Sequence, residues 1–264
     1  MHPIREARIR SVLEEIESLQ LFNSVKWLDT IDSTNRFMKD SIKSGELSSP
    51  ALVVASQQTS GVGRGNNKWF SPEGCLMFTI AMPIQLGEGL LPLNVGLTIA
   101  RAIEPILRAT PKIKWPNDLY VAERKVGGIL IEVVTAKQPV AIVGVGLNCQ
   151  VDFSAAPLDV KARATSLHEH ALLKEPEEYS PVSVLLRVIR EWSELEQDDE
   201  KNREQLLAAW PAYTMLDGRR VCIESAGEQI HGICNGITDT GAIQIIDTNA
   251  QRRNIIAGTI LSFE

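Results

Sequence analysis

Gly61, Gly63 and Gly65 alternate with Val62 and Arg64 inside the run Gln58-Thr59-Ser60-Gly61-Val62-Gly63-Arg64-Gly65-Asn66-Asn67-Lys68-Trp69-Phe70. Residues without a Cβ let a backbone turn back on itself and approach a ligand closely. A loop of this kind can aim several backbone N–H groups at an anion, with Arg64 and Lys68 supplying positive charge. The spacing is neither a Walker A loop nor a dinucleotide fingerprint, because position 66 is Asn. Taken alone, such a run is a flexible surface turn, so any chemistry depends on what surrounds it.

Four further clusters carry polar groups at the ends of apolar segments. Asp32-Ser33-Thr34-Asn35 follows a short apolar alternation and precedes a helical pattern. These are helix N-cap residues, and the same hydroxyls and amide can hold a polar neutral group of a ligand. Lys114-Trp115-Pro116-Asn117-Asp118 ends a short strand in a turn, where Asp118 serves equally well as a turn residue or a functional one. Lys125 then leads Val126-Gly127-Gly128 into an apolar strand. Paired glycines inside a strand cost stability unless something must come close to the backbone. The segment Val140–Asn148 repeats this arrangement with Gly144 and Gly146, and Asn148 is either a turn former or a ligand contact. His168-Glu169-His170 is not read as a metal site, since i and i+2 do not share a helix face and no third ligand is near.

The elements that must position these groups follow from periodicity. Ile9, Val12, Leu13, Ile16 and Leu19 share one face of a helix over Ile4–Phe22. Ser24–Ile31 is a strand, Arg36–Lys43 a helix, and Ala51–Ser56 a buried strand feeding the glycine loop. Cys75–Met82 is apolar on both faces and so central in its sheet. Leu90–Ala109 is a helix that Pro105 kinks or ends. Leu119–Val121 and Lys125–Val134 form a hairpin turning at Glu123-Arg124. Ser180-Pro181 starts an amphipathic helix, Glu196–Arg203 is a charged turn, and a last helix stops at Pro211. From Met215 onward, short β segments at Arg220–Glu224, Gln229–Ile237, Ala242–Asp247 and Arg253–Ile260 suggest a small SH3-like barrel docked on the main domain.

Composition narrows the function classes. A net charge of −6 and a pI near 5.4 argue against a chain built to bind nucleic acid. Cys75, Cys149, Cys222 and Cys234 are dispersed without a C-x-x-C pair, which suits reduced thiols in a cytoplasmic protein. No signal peptide is expected ahead of the first helix, and no apolar run is long enough to cross a bilayer.

In identity, order and spacing, the five segments together resemble the biotin protein ligases (biotin–[acetyl-CoA-carboxylase] ligases). They are Ile31–Asn35, Gln58–Gly65 with Trp69, Lys114–Asp118, Lys125–Leu130 and Gly146–Asn148. The resemblance covers about residues 25–148 strongly and the terminal β segment more weakly. It implies an α+β fold: a mixed sheet with helices on one side, related to class II aminoacyl-tRNA synthetases, plus an SH3-like β-barrel. The catalytic domain would span 1–214, with 1–22 as an N-terminal helix and no winged helix, and the barrel 215–264. It implies formation of biotinyl-5′-AMP from biotin and ATP with Mg²⁺, then transfer of biotin to a lysine.

By the same resemblance Ser33, Thr34, Asn35 and Gln58 line the biotin ring pocket, and Gly61, Val62, Gly63 and Gly65 form a loop that closes over the ligand. Arg64 would hold the phosphate or carboxylate. Lys125 would stabilise charge at the reacting carboxylate and α-phosphate. Gly65, Trp69, Lys114, Asn117, Asp118 and Asn148 would serve the nucleotide, with Asp118 facing the metal that ATP carries. The implied partners are biotin, ATP and a biotin carboxyl carrier domain of acetyl-CoA carboxylase or a similar enzyme. A homodimer is compatible with the family; DNA and membranes are not expected. Val62 and Asn67 stand where arginine is usual in the family pattern; Asn67 fits a G-x-G-R-G-x-N-x-W variant of it, whereas Val62 removes a cation from the loop. Rival readings are a lipoate–protein ligase, a biotin-sensing repressor and a catalytically inactive biotin-binding module.

Overall fold

A computed structural model describes residues 3–65, 67–84, 89–135, 138–195 and 199–264, with side chains from residue 6 onward. Seven strands form the larger sheet: β1 (Ser24–Ile31), β2 (Ala51–Gln58), β3 (Cys75–Pro83), β4 (Lys112–Lys114), β5 (Asp118–Val121), β6 (Arg124–Thr135) and β7 (Pro139–Asn148). Their order is β1-β2-β3-β7-β6-β5-β4. Only β1 and β2 run parallel, joined by the crossover helix α2 (Thr34–Ser44), so the sheet is mixed as expected. β3 lies near its middle and is buried along seven successive residues.

The two-residue period of the strands divides the core. Leu52, Val54, Leu76, Phe78 and Ile80 point to one face, where α1 (Pro3–Ser18), α3 (Leu91–Ile103), α5 (Pro181–Ser193) and α6 (Asp199–Tyr213) cover them. Ala51, Val53, Ala81, Val134 and Ile142 point to the other face and meet Met38 and Ile42 of α2. Helices therefore lie on both faces, not on one side as the resemblance implied. Because α2 has only three turns, it covers part of its face. The remainder of that face, toward Asn148, is left open as the floor of a cleft.

Several boundaries move for identifiable reasons. α1 ends at Ser18, and Gln20 takes a left-handed φ of 54°, although Leu19, Leu21 and Phe22 still pack on the core. α3 stops at Ile103 and passes into a 3₁₀ turn over Glu104–Ile106, so Pro105 does end it. The β5–β6 turn falls on Ala122-Glu123, both left-handed at φ 47° and 63°, one residue before the expected Glu123-Arg124. The expected charged turn over Glu196–Arg203 lies partly outside the described residues. From Asp199 it is helix, with Asp199 and Glu200 in the first turn, where acidic side chains suit the helix dipole. That helix continues through Pro211 to Tyr213, since a proline in the last turn removes only one ladder bond.

The C-terminal part holds five antiparallel strands: β8 (Arg220–Ser225), β9 (Glu228–Ile237), β10 (Ile243–Asp247), β11 (Arg252–Ile255) and β12 (Thr259–Phe263). They are ordered β11-β10-β9-β8-β12, and no pairing between β11 and β12 closes the sheet among the described residues. The single strand expected over Arg253–Ile260 is two, broken at Ile256–Gly258. Gly258 there lies so near Glu224 O that a Cβ would sit 2.8 Å from it. All four cysteines are buried and unpaired. Among the described residues no helix is long and apolar enough to cross a membrane.

Candidate active site

The open part of the α2 face forms a cleft of about 1420 Å³. Its floor is made by Gly128 and Leu130 on β6 and by Gly144 and Gly146 on β7. The registers Gly128↔Gly146 and Leu130↔Gly144 set these strands side by side. The strand glycines have a steric reason. A Cβ on Gly144 would lie 2.0 Å from Asn35 Oδ1, and one on Gly146 would lie 2.4 Å from Trp69 Cε2. A Cβ on Gly128 would lie 3.4 Å from Trp69 Cζ3. The glycines thus let an amide and an indole lie directly on the sheet. Trp69 Nε1 is buried without a hydrogen-bond partner among the described residues.

The glycine loop forms one wall as a narrow ladder. Gly63 N–H donates to Asn67 O at 2.8 Å and Trp69 N–H to Gly61 O at 3.0 Å, with Val62 opposite Lys68. In an antiparallel ladder this makes Val62 and Lys68 the non-bonded pair, so the Val62 N–H points away from the ladder. Gly61 must lack a Cβ, which would meet Ser71 Oγ at 2.6 Å, and Gly65 needs its left-handed φ of 66°. Arg64 reaches out of the loop and donates to Gly258 O at 2.7 Å in the C-terminal sheet.

One end of the cleft is polar but neutral. Ser33 occupies the N-cap position of α2, yet its side chain makes no capping bond; Asp32 Oδ1 takes the Ser33 N–H at 2.6 Å. Capping alone therefore does not explain the hydroxyl. Gln58 Oε1 accepts from Thr34 N–H at 2.8 Å, and Gln58 Nε2 donates to Ser71 Oγ at 3.3 Å. Ser33, Thr34 and Asn35 are all at most 5% exposed. Asn35 lines the cleft with an amide already engaged by Thr79, Leu130 O and Glu132.

The other end is cationic. Lys125 Nζ lies 2.6 Å from Asp118 Oδ1 and 5.7 Å from the centre of the Trp69 ring. Lys114 stands over the rings of Tyr120 and Phe263. Burial pulls its ammonium below the ordinary lysine range; Asp118 opposes this, and the neighbouring charges of Lys125 and Arg163 add to it. Burial beneath Trp69 pushes the Cys75 thiol up to about 12, so it brings no negative charge to the floor.

Asn117 and Asn148 line the cleft, but their amides serve the scaffold. Asn117 Nδ2 donates to Ile129 O at 2.6 Å, and Asn148 Nδ2 to Thr165 O at 3.1 Å. His168 packs edge-on against Tyr179, and His170 Nε2 lies 3.0 Å from Thr165 Oγ1, so this pair does not converge. Among the described residues no three His, Cys, Asp or Glu side chains form a metal cluster. Lining residues that sequence reasoning missed include Arg163, Asp159, Phe153, Thr259 and Ile260. Thr79, a lone hydroxyl in an apolar strand, carried a signal but lies buried behind Asn35.

A neutral polar pocket joined to a cationic trough on one mixed sheet defines a class: residues 27–148 match the biotin/lipoate A/B protein ligase family. The biotin protein ligase of Aquifex aeolicus, solved with biotin and ATP, is 30% identical with a TM-score of 0.75, covering 92% of this chain and 99% of that one. The bifunctional ligase/repressor BirA of Escherichia coli is 29% identical over 91% of this chain and 74% of its own. The biotin–[acetyl-CoA-carboxylase] ligase of Mycobacterium tuberculosis is 29% identical over 87% and 85%. The chain belongs to the biotin protein ligase family.

Proposed function

We propose that this cleft activates biotin with ATP and passes the acyl group to a lysine of a biotin carboxyl carrier domain. The observation that carries the reading is the joining of two unlike half-sites. Thr34 and Gln58 offer hydrogen bonds without net charge, as a cyclic urea requires. Lys114, Lys125, Arg163 and the glycine loop offer cations and N–H groups, as a carboxylate and a triphosphate require. Lys125, at the cationic end beside Asp118 and Trp69, would offset charge where a carboxylate oxygen attacks the α-phosphorus and the bond to pyrophosphate breaks. In the second step the lysine amine attacks the acyl carbon, AMP leaves with the electron pair, and the amine loses a proton to solvent.

Arg64 joins this machinery by leaving Gly258 O for the phosphate, so the loop and the C-terminal sheet act together. Mg²⁺ fits as the ion that ATP brings: the carboxylates lining the cleft, Asp118 and Asp159, are engaged by Lys125 and Arg163, so phosphate and water oxygens would supply most of its ligands. It would offset phosphate charge beyond what the lysines neutralise. Ser33 lines the ring pocket, Gly61 to Gly65 cover the intermediate, and Trp69 packs beside it. Asn117 and Asn148 act by holding β6 and residue 165 in place.

We also infer a catalytic unit over 1–214 and an SH3-like unit over 215–264. Supporting this, the latter is a four-strand meander whose fifth strand returns to pair with the first. The unpaired thiols suit a cytoplasmic setting. A repressor role is disfavoured by the acidic balance of the chain, a net charge of −6 and a pI near 5.4.

Release of pyrophosphate on mixing the protein with biotin and ATP tests the first step. A mass increase of a carrier domain tests the second. Lipoylation without biotinylation would overturn the reading, and retardation of operator DNA at physiological salt would restore the repressor.

A further inference from the structure

The ammonium of Lys114 is held by rings and not by a carboxylate. The β4–β5 register sets Asp118 directly beside Lys114 and Tyr120 on the diagonal. Asp118 gives its Oδ1 to Lys125 at 2.6 Å, and among the described residues Lys114 enters no ion pair. Its Nζ stands instead over the face of Tyr120, 5.7 Å from the ring centre, and over the face of Phe263, 5.2 Å away. Tyr120 lines the cleft beside Lys114, whereas Phe263 stands behind the wall, on β12 of the C-terminal sheet. A carboxylate neutralises an ammonium and occupies its hydrogens. A ring attracts the charge and leaves most of the N–H donors for other acceptors. Burial works against the charge at Lys114, Lys125 and Arg163 repel it, and Asp118 favours it, so the attraction of the rings offsets part of a cost.

Phe263 is itself held in place. It pairs with Val221 on β8, and the next residue, Glu264, exchanges both backbone hydrogen bonds with Arg220, at 3.0 and 3.2 Å. The Arg219 guanidinium also stands over the Phe263 ring, 5.5 Å from its centre, and forks onto Glu123 at 2.6 and 3.0 Å. Glu123 lies in the turn between β5, which carries Tyr120, and β6, which carries Lys125. The ring is thus seated against the site strands from the C-terminal sheet. We propose that Phe263 is a positioning residue for the nucleotide: with Tyr120 it holds the Lys114 ammonium at the cleft by a ring face, and so presents a charge still free to meet a phosphate. This rests on the reading of the cationic end as the ATP half of the cleft. An aliphatic side chain at 263 fills the space but offers no negative face. The counter-charge left to Lys114 is then Asp118, where it competes with Lys125.

The test measures the Kd of ATP and of biotin on the full chain, with Phe263 altered in two backgrounds. Phe263→Leu should raise the ATP Kd about threefold to tenfold, the size of a half-buried cation–π contact, and move the biotin Kd by less than about twofold. Phe263→Tyr keeps the ring face and should restore most of the ATP affinity. In a Lys114→Met chain, which has no ammonium for a ring to hold, Phe263→Leu should change the ATP Kd by less than about twofold. A loss of the same size in the Lys114→Met chain would mean that Phe263 acts through the folding of the C-terminal sheet, and would overturn the proposal. An ATP Kd indifferent to Phe263→Leu, or an equal loss of biotin affinity, would overturn it too. Failure of the unaltered protein to bind ATP would overturn the nucleotide reading and the proposal with it.

Discussion

At the scale of single residues, the cation missing at Val62 and the cation displaced at Lys114 make separate predictions. Val62 is 39% exposed on the loop wall, with its N–H directed away from the ladder. Val62→Arg should leave the chemistry intact and tighten biotin up to about fivefold, since a solvent-exposed ion pair is worth at most about 1 kcal/mol. A biotin Kd that does not fall would show that the loop works through its backbone alone. Lys114 has its folded-state pKa lowered from the ordinary 10.5, chiefly by burial. The unfolded chain therefore holds this proton more tightly than the folded one, and stability rises as pH climbs from the lowered value toward 10.5. Nucleotide affinity runs the other way, because the ammonium that attracts phosphate is lost over that climb. Lys114→Arg stays charged, so nucleotide Kd measured against pH should keep its affinity to higher pH in the variant. Coincident curves would acquit Lys114. Ser33, Gln58 and Lys125 were legible in the sequence because each sits beside a break in an apolar pattern. Arg163 was not, because a charge on a short helix looks the same whether or not it faces a site.

At the scale of elements, the strand glycines separate two uses of the same residue. Gly144 has the Asn35 amide where its Cβ would be, whereas a Cβ on Gly96, inside α3, would meet only the Ile113 side chain at ordinary contact distances of 3.5–3.6 Å. Gly144→Ala should cost about 1–3 kcal/mol of stability by overpacking and weaken biotin at least about tenfold. Gly96→Ala should instead add about 0.5–1 kcal/mol, since a helix-interior glycine gives away backbone entropy. Denaturant midpoints of the two variants check both signs. The strands themselves were readable from alternation, as was the end of α3 at Pro105. Which face each helix covers was not readable. Both faces of β2 and β3 are apolar, and only the register of neighbouring strands shows that α2 takes the face opposite α1, α3 and α5. The boundary of α6 was misread because the proline in its last turn looks like a stop, while Trp210 and Leu206 keep it packed on the core.

At the scale of the whole molecule, the C-terminal sheet is joined to the main one by contacts of very different depth. Trp115, 2% exposed beside the site strand β4, donates from Nε1 to Gly241 O at 3.1 Å. Next to it, the backbones of Gly89 and Gly241 approach so closely that a Cβ on Gly241 would lie 2.5 Å from Gly89 O. By contrast, Arg219 and Glu123 form a two-pronged ion pair at 2.6 and 3.0 Å on the surface, with the Glu123 side chain 60% exposed. The ion pair is the more conspicuous link, but desolvation decides which link matters. Trp115→Phe keeps most of the ring and strands a buried carbonyl, so it should cost about 1–3 kcal/mol. Glu123→Gln removes a charge that water already screens and should change stability by less than about 1 kcal/mol. Because Lys114 precedes Trp115 and its ammonium stands over Phe263 of β12, loosening the tryptophan should also raise the KM for ATP more than that for biotin. Thermal midpoints and the two KM values measured on both variants separate these outcomes. Equal destabilisation by Trp115→Phe and Glu123→Gln would mean that the sheets are held together by surface charge, and an unchanged KM for ATP would mean that the C-terminal sheet does not position Lys114.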